Sequence, residues 1–193
     1  MVRVGLDLNK IIQTAVEIAD NEGLEAVTLA SLARKLSVKS PSLFNHIKGL
    51  ASLKSEMSLY GLRLLLEKLK ISIEGKEQDE ALSAMAYAYV EFTREHPGLY
   101  EITIQAPEEI DGELKKASDE IVELIIHVLK DYNLDHNNMI HTIRGLRSLL
   151  HGFSSLEQSG AFAMSISVEE SFEFLIKNFI KSIHQINKES NIK

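Results

Sequence analysis

Apolar residues recur every three to four positions along this chain, and no convincing run alternates strictly between apolar and polar. The first spacing lines up one stripe of an α-helix, whereas a half-buried strand needs the second. Only three prolines interrupt the pattern: Pro41, Pro97 and Pro107. The expectation is an all-α protein of about nine helices. Asp7 or Asn9 caps a first helix that runs to about Asn21, with Ile11, Ile12, Ala15, Ile18 and Ala19 on its stripe and Gly23 at its end. Thr28 opens a second helix. A third, short one runs from Lys39 to about Ile47, with Pro41 in its first turn, where a missing N–H costs little. Further helices are expected over residues 50–73, 81–95, 99–105, 109–131, 135–157 and 168–186, with a loop around Gly75 and a frayed polar tail from Asn187.

A chain of 193 residues suits one medium domain or a small one joined to a helical body. It has no cysteine, so a disulfide framework or a thiolate metal site is excluded. No stretch reaches the ~18 uninterrupted apolar residues of a membrane span, and Met1 to Lys10 lack the apolar run of a signal peptide. A cytoplasmic protein without membrane contact is expected.

The net charge of −7 argues against a nucleic-acid partner until its distribution is read. Residues 1–55 hold seven Lys/Arg and five Asp/Glu, a net of +2, and the remainder hold fourteen and twenty-three, a net of −9. Between residues 25 and 55, Arg34, Lys35, Lys39, Lys48 and Lys54 face only Glu25. A local basic patch on an acidic body fits localised phosphate contact.

The same segment, Thr28 to Ile47, has the form of two short helices joined by a tight turn. Leu32, Ala33, Leu36, Val38, Leu43 and Ile47 form its inner face, and Ala33 is small where the second helix must come close. Lys39, Ser40, Ser42 and Asn45 are left pointing outward, free to meet base edges and phosphates in a major groove. "TLASLARKLSVKSPSLFNHIKGLASL" resembles the DNA-binding domain of TetR/AcrR-type regulators over residues 7–60. That resemblance implies three N-terminal helices, a long fourth helix, and a homodimer on a palindromic operator. It places DNA contacts on Ser40, Pro41, Ser42, Phe44 and His46, a cap and phosphate contact on Thr28, and a backbone contact on Lys48. The chain departs from the usual pattern with Ser37 for glycine, Lys39 for serine or threonine, Phe44 for tyrosine and Leu50 for lysine.

"EHPGLYEIT" (95–103) and "LRSLLHGFSSLEQSGAF" (146–162) resemble the TetR subgroup whose C-terminal domain is named for a Trp-His-Gly triplet, here Leu150-His151-Gly152. An effector pocket needs an apolar lining with a few polar groups. Its candidates are Met85, Tyr89, Phe92, Tyr100, His127, Arg147, His151 and Phe162, although each residue of this kind is more often plain core. No metal site is expected, because His136 and His141 lie five apart and no His-x-x-x-His pair occurs. No nucleotide or nucleophile motif is present, so neither a cofactor nor an enzymatic activity is expected.

Gly145, Ser148, Gly152, Ser154 and Ser155 on one helix let helices approach closely, and the next carries Phe172, Leu175, Ile176, Phe179, Ile180 and Ile183. Dimerisation through these last two long helices follows. The expectation is a DNA-binding domain over 1–49 and a ligand-binding and dimerisation domain over 50–193. Together they make a repressor of double-stranded DNA released by an unknown small effector. A helical ligand-binding or adaptor protein without DNA binding, and an enzyme built around His151, are the rivals.

Overall fold

The computed structural model describes residues 6–104 and 112–190, with side chains through Ile186. Among them run eight α-helices: α1 (Leu8–Glu22), α2 (Leu29–Lys35), α3 (Leu50–Ile73), α4 (Gln78–Glu95), α5 (Pro97–Ile104), α6 (Gly112–Leu129), α7 (His136–Gln158) and α8 (Val168–Ser190). Three 3-10 segments join them, and the six-residue one, Ser40–Asn45, supplies the ninth helical element. No strand occurs among the described residues.

Local chemistry sets several boundaries. Asp7 caps α1 by accepting from the Lys10 N–H at 2.7 Å, and Gly23, with φ of 88°, ends it. Asp135 caps α7 in the same way through the Asn138 N–H at 2.8 Å. Thr28 and Ser31 form a reciprocal capping box at the start of α2. The helix α4 begins at Gln78, earlier than expected, with Gln78 itself at φ 44°, and α8 continues through Ser190 where a frayed tail was expected. The expected start of the sixth α-helix at Glu109, and Pro107 before it, lie outside the described residues.

The described residues divide into two compact units. The first takes those up to Leu64 and those of Glu95–Ala117; the second takes Leu65–Arg94 and those from Ser118 onward. The helix α5 thus groups with the N-terminal helices, although the sequence suggests one boundary near residue 49.

In the first unit, α5 is held against α1 by a carboxylate. Asp20 accepts from the Leu99 N–H at 2.8 Å and sits 2.9 Å from His96 Nδ1. Gly98 lets the backbones meet, since a methyl there would overlap the Ala19 carbonyl and lie 2.8 Å from the Asp20 nitrogen. Gly61 of α3 serves the opposite side, where a methyl would overlap Thr103 and come within 3.0 Å of Leu99 Cδ1.

In the second unit, α4 and α7 run in the same sense. Their ends are joined by a bidentate Arg94–Glu157 pair at 2.9 and 2.6 Å and by Gln158 donating to the Thr93 carbonyl at 2.8 Å. At the other end Tyr132, just before α7, donates to Asp79 at 2.7 Å, and His184 of α8 approaches the same carboxylate at 2.8 Å. Tyr87, Phe172, Phe153 and Phe162 form a chain of ring contacts with centroids 4.7–5.0 Å apart. Burial, and then the hydrogen bond to Asp79, push the Tyr132 phenol well above its ordinary pKa of 10.0. The folded state therefore keeps a proton that the unfolded chain releases above about pH 10, so stability falls as pH rises past that point. Tyr132→Phe should cost about 1 kcal/mol at neutral pH for the lost bond. The gap in melting temperature between the wild type and this variant should narrow above pH 10; a gap that widens there would contradict the assignment.

Candidate nucleic-acid interface

The interface is built from a short turn between two helices. After α2, Val38 N donates to the Ala33 carbonyl at 2.9 Å and Leu36 N to the Leu32 carbonyl at 2.8 Å, which close the helix end. Ser37 adopts φ 55° in that turn, where glycine would sit without strain. Holding serine in this conformation costs on the order of 1 kcal/mol. The following element is a 3-10 segment rather than the α-helix expected over Lys39–Ile47. Six residues with Pro41 near the start give too few i→i−4 bonds to propagate an α-helix.

Its sides sort as expected. Leu43 is 0% exposed and Ile47 3%, so both anchor the segment in the core. Lys39, Pro41, Phe44, Asn45, His46 and Lys48 are exposed, and Ser40 and Ser42 are half-buried. Phe44 stands 56% exposed, so the ring is turned outward and not packed away on α1. Thr28 is exposed too, but its hydroxyl is committed to the capping box: it accepts from the Ser31 N–H and donates to Ser31 Oγ, both at 3.0 Å. Lys35 pairs with Glu17 at 2.9 Å. Among the described residues no ion pair occupies Arg34, Lys39 or Lys48, which leaves their charge for an external anion.

The pocket candidates separate. Met85 and Phe92 are buried on α4, and Tyr89 and His151 are half-buried on α4 and α7, all in the second unit. Phe162 is exposed but lies against Phe153. His127 and Arg147 are exposed, and His127 lines a surface cavity with Lys76, Gln78, Lys130 and Asp131. Tyr100 is buried on α5 in the first unit. Sequence reasoning missed Asp20 and Gly98 as packing partners, because they lie more than seventy residues apart in the chain. It also read Ser154 only as a small residue for close packing, yet its hydroxyl is buried and has no hydrogen-bond partner among the described residues. Among the described residues no cluster of three His, Asp or Glu could hold a metal, and no helix is long and apolar enough to cross a membrane.

Comparisons with known proteins agree with this geometry. Residues 82–179 match the family described as Tetracyclin repressor-like, C-terminal domain. The chain is 38% identical to an HTH-type transcriptional regulator, YobS, of Bacillus subtilis, over 96% of this chain and 97% of that protein. A structure from Rhodococcus sp. RHA1 superposes with TM-score 0.81 at 17% identity, covering 94% of this chain and 98% of that one. A tetracycline-repressor variant from Acinetobacter baumannii AYE in complex with minocycline superposes with TM-score 0.72 at 18% identity, covering 95% and 99%. The two-helix reader with its outward serines and lysines, the all-helical body and these likenesses together establish that the chain belongs to the TetR family of helix-turn-helix transcriptional regulators.

Proposed function

We propose that the protein is a homodimeric repressor whose Ser40–Asn45 segment enters the major groove of a palindromic operator and which a small effector releases. The carrying observation is the sorting of one six-residue turn, with Leu43 buried and Phe44, Asn45 and His46 exposed beside unpaired Lys39 and Lys48. Ser40, Ser42, Asn45 and His46 offer hydrogen bonds to base edges and phosphates, Lys39 and Lys48 offer charge, and Pro41 and Phe44 offer apolar surface for thymine methyls or sugars. Thr28 acts by fixing the start of α2, so that any phosphate it meets is met mainly through the orientation of that helix.

The second unit is the effector-binding part, with Met85, Tyr89, Phe92 and His151 as its lining. The solved minocycline complex of a structurally similar repressor supports a ligand in this body. Covalent continuity supplies the coupling. Arg94 is clamped to Glu157 in the second unit, and two residues later His96 is clamped to Asp20 in the first. The helix α3 likewise passes unbroken through both. A ligand that shifts the end of α4 or of α3 thereby displaces the reading head, with an expected 5- to 150-fold change in operator affinity. The dimer forms through α7 and α8, next to which Leu156, Met164, Ile166 and Phe174 remain at least half exposed in one copy.

A gel-shift titration on DNA from upstream of the protein's own gene, repeated over a salt series, tests the DNA arm. Six phosphate contacts per dimer should weaken binding about 1,000-fold between 50 and 200 mM salt. Absence of a retarded band at low salt, or a complex indifferent to salt, would refute the assignment.

A further inference from the structure

Several hydroxyls inside the helices of this chain are satisfied locally. Thr14, Ser55, Ser72, Thr93, Thr103, Ser171 and Ser182 each donate to a carbonyl three or four residues back. Ser154 on α7 does not. Its side chain is 0% exposed, and among the described residues its Oγ is the buried side-chain atom left without a hydrogen-bond partner. Desolvating a hydroxyl without compensation is unfavourable, and the helix offers a remedy that this residue does not take.

The surroundings define what could satisfy it. Leu146, Leu150 and Ser154 lie on one buried stripe of α7 at four-residue spacing. One turn further on, Gln158 and Glu157 reach Thr93 and Arg94 of α4. Ser154 lies one turn before these contacts on α7. Phe153 beside it belongs to the aromatic chain through Phe172 and Phe162. Tyr89 and His151 are half-buried, which gives this seam an edge to the solvent. The nearest charges on these turns are already engaged: Arg94 is shared between Glu157 and Glu169 at 2.6 and 3.5 Å. An ionised ligand group would find no counter-charge at Ser154, whereas a neutral acceptor would find a donor within an apolar and aromatic wall.

We infer that Ser154 is the polar contact of the effector, donating a hydrogen bond to a neutral acceptor, of the carbonyl type, on an otherwise apolar or aromatic molecule in the α4–α7 seam. Ser154 has this role only if the second unit binds an effector, as proposed above.

Acetophenone and ethylbenzene, nearly equal in size and differing at the carbonyl, are the probes, measured by calorimetric titration on the full chain and on Ser154→Ala. The wild type should bind the ketone about tenfold more tightly than the hydrocarbon, and Ser154→Ala should erase that ratio. Without ligand, Ser154→Ala should melt about 2–4 °C higher, because an unsatisfied polar atom has been removed. A lower melting temperature would show that the hydroxyl has a partner, such as a buried water, and would overturn the inference. So would a ketone preference that survives the substitution, or a wild type that binds neither probe. Both proteins are also run in the gel shift. Loss of DNA binding by the wild type would refute the regulator proposal, while equal DNA binding with an unchanged ketone ratio in Ser154→Ala would refute only the ligand contact.

Discussion

Gly98→Ala is expected to lower the melting temperature by about 6–12 °C, from roughly 3 kcal/mol of overpacking. Gly98 lies in the first turn of α5, and helix propensity taken alone favours alanine there by up to about 1 kcal/mol. Packing reverses the sign. The added methyl would overlap the Ala19 carbonyl and crowd the Asp20 nitrogen, and both are main-chain atoms of α1 that no rotamer change can move aside. Relief requires α5 to lift from α1, which also stretches the Asp20 contacts to Leu99 N and His96. Calorimetry of the variant decides between the two effects, and a melting temperature at or above that of the wild type would show that α5 is not seated on α1.

The triple substitution Ser42→Ala, His46→Ala and Lys48→Ala should weaken operator binding at least 1,000-fold while leaving the melting temperature within about 2 °C. Six side chains are lost from the dimer, and base or phosphate contacts of this kind cost on the order of 1 kcal/mol or more each. Losing two Lys48 contacts should also flatten the salt dependence by about two units in the log–log slope. None of the three side chains is buried, so the fold has little to lose. A triple variant that still retards the operator at wild-type concentrations would remove the Ser40–Asn45 segment from the interface.

Much of this was legible before any coordinates. The cap at Thr28, the cap at Asp7 as one of two candidates with Asn9, and the span of α3 follow from residues within four positions of one another, which is the range over which a helix is specified. The inward set Leu32, Ala33, Leu43 and Ile47 follows in the same way, and with it the outward set on the reading turn. The 3-10 geometry of that turn was less accessible, because five or six residues carry little periodic signal to separate 3-10 from α. Of the pocket candidates, Met85, Tyr89, Phe92 and His151 fall in one unit, but Tyr100 shares the same apolar signature and lies in the other. Hydrophobicity reports that a side chain is buried and not which core buries it.

By itself, then, the order of residues settled the all-helical class, the position of the helix-turn-helix head and which of its side chains are buried, since each depends on spacing within a turn or two. Only the folded chain decided that residues 97–104 join that head, that Asp20 and Gly98 hold them there, and that Ser154 lacks a partner among the described residues. Those outcomes turn on pairs separated by up to 79 residues or on a group's whole surroundings, and such meetings are fixed by how all the helices pack at once.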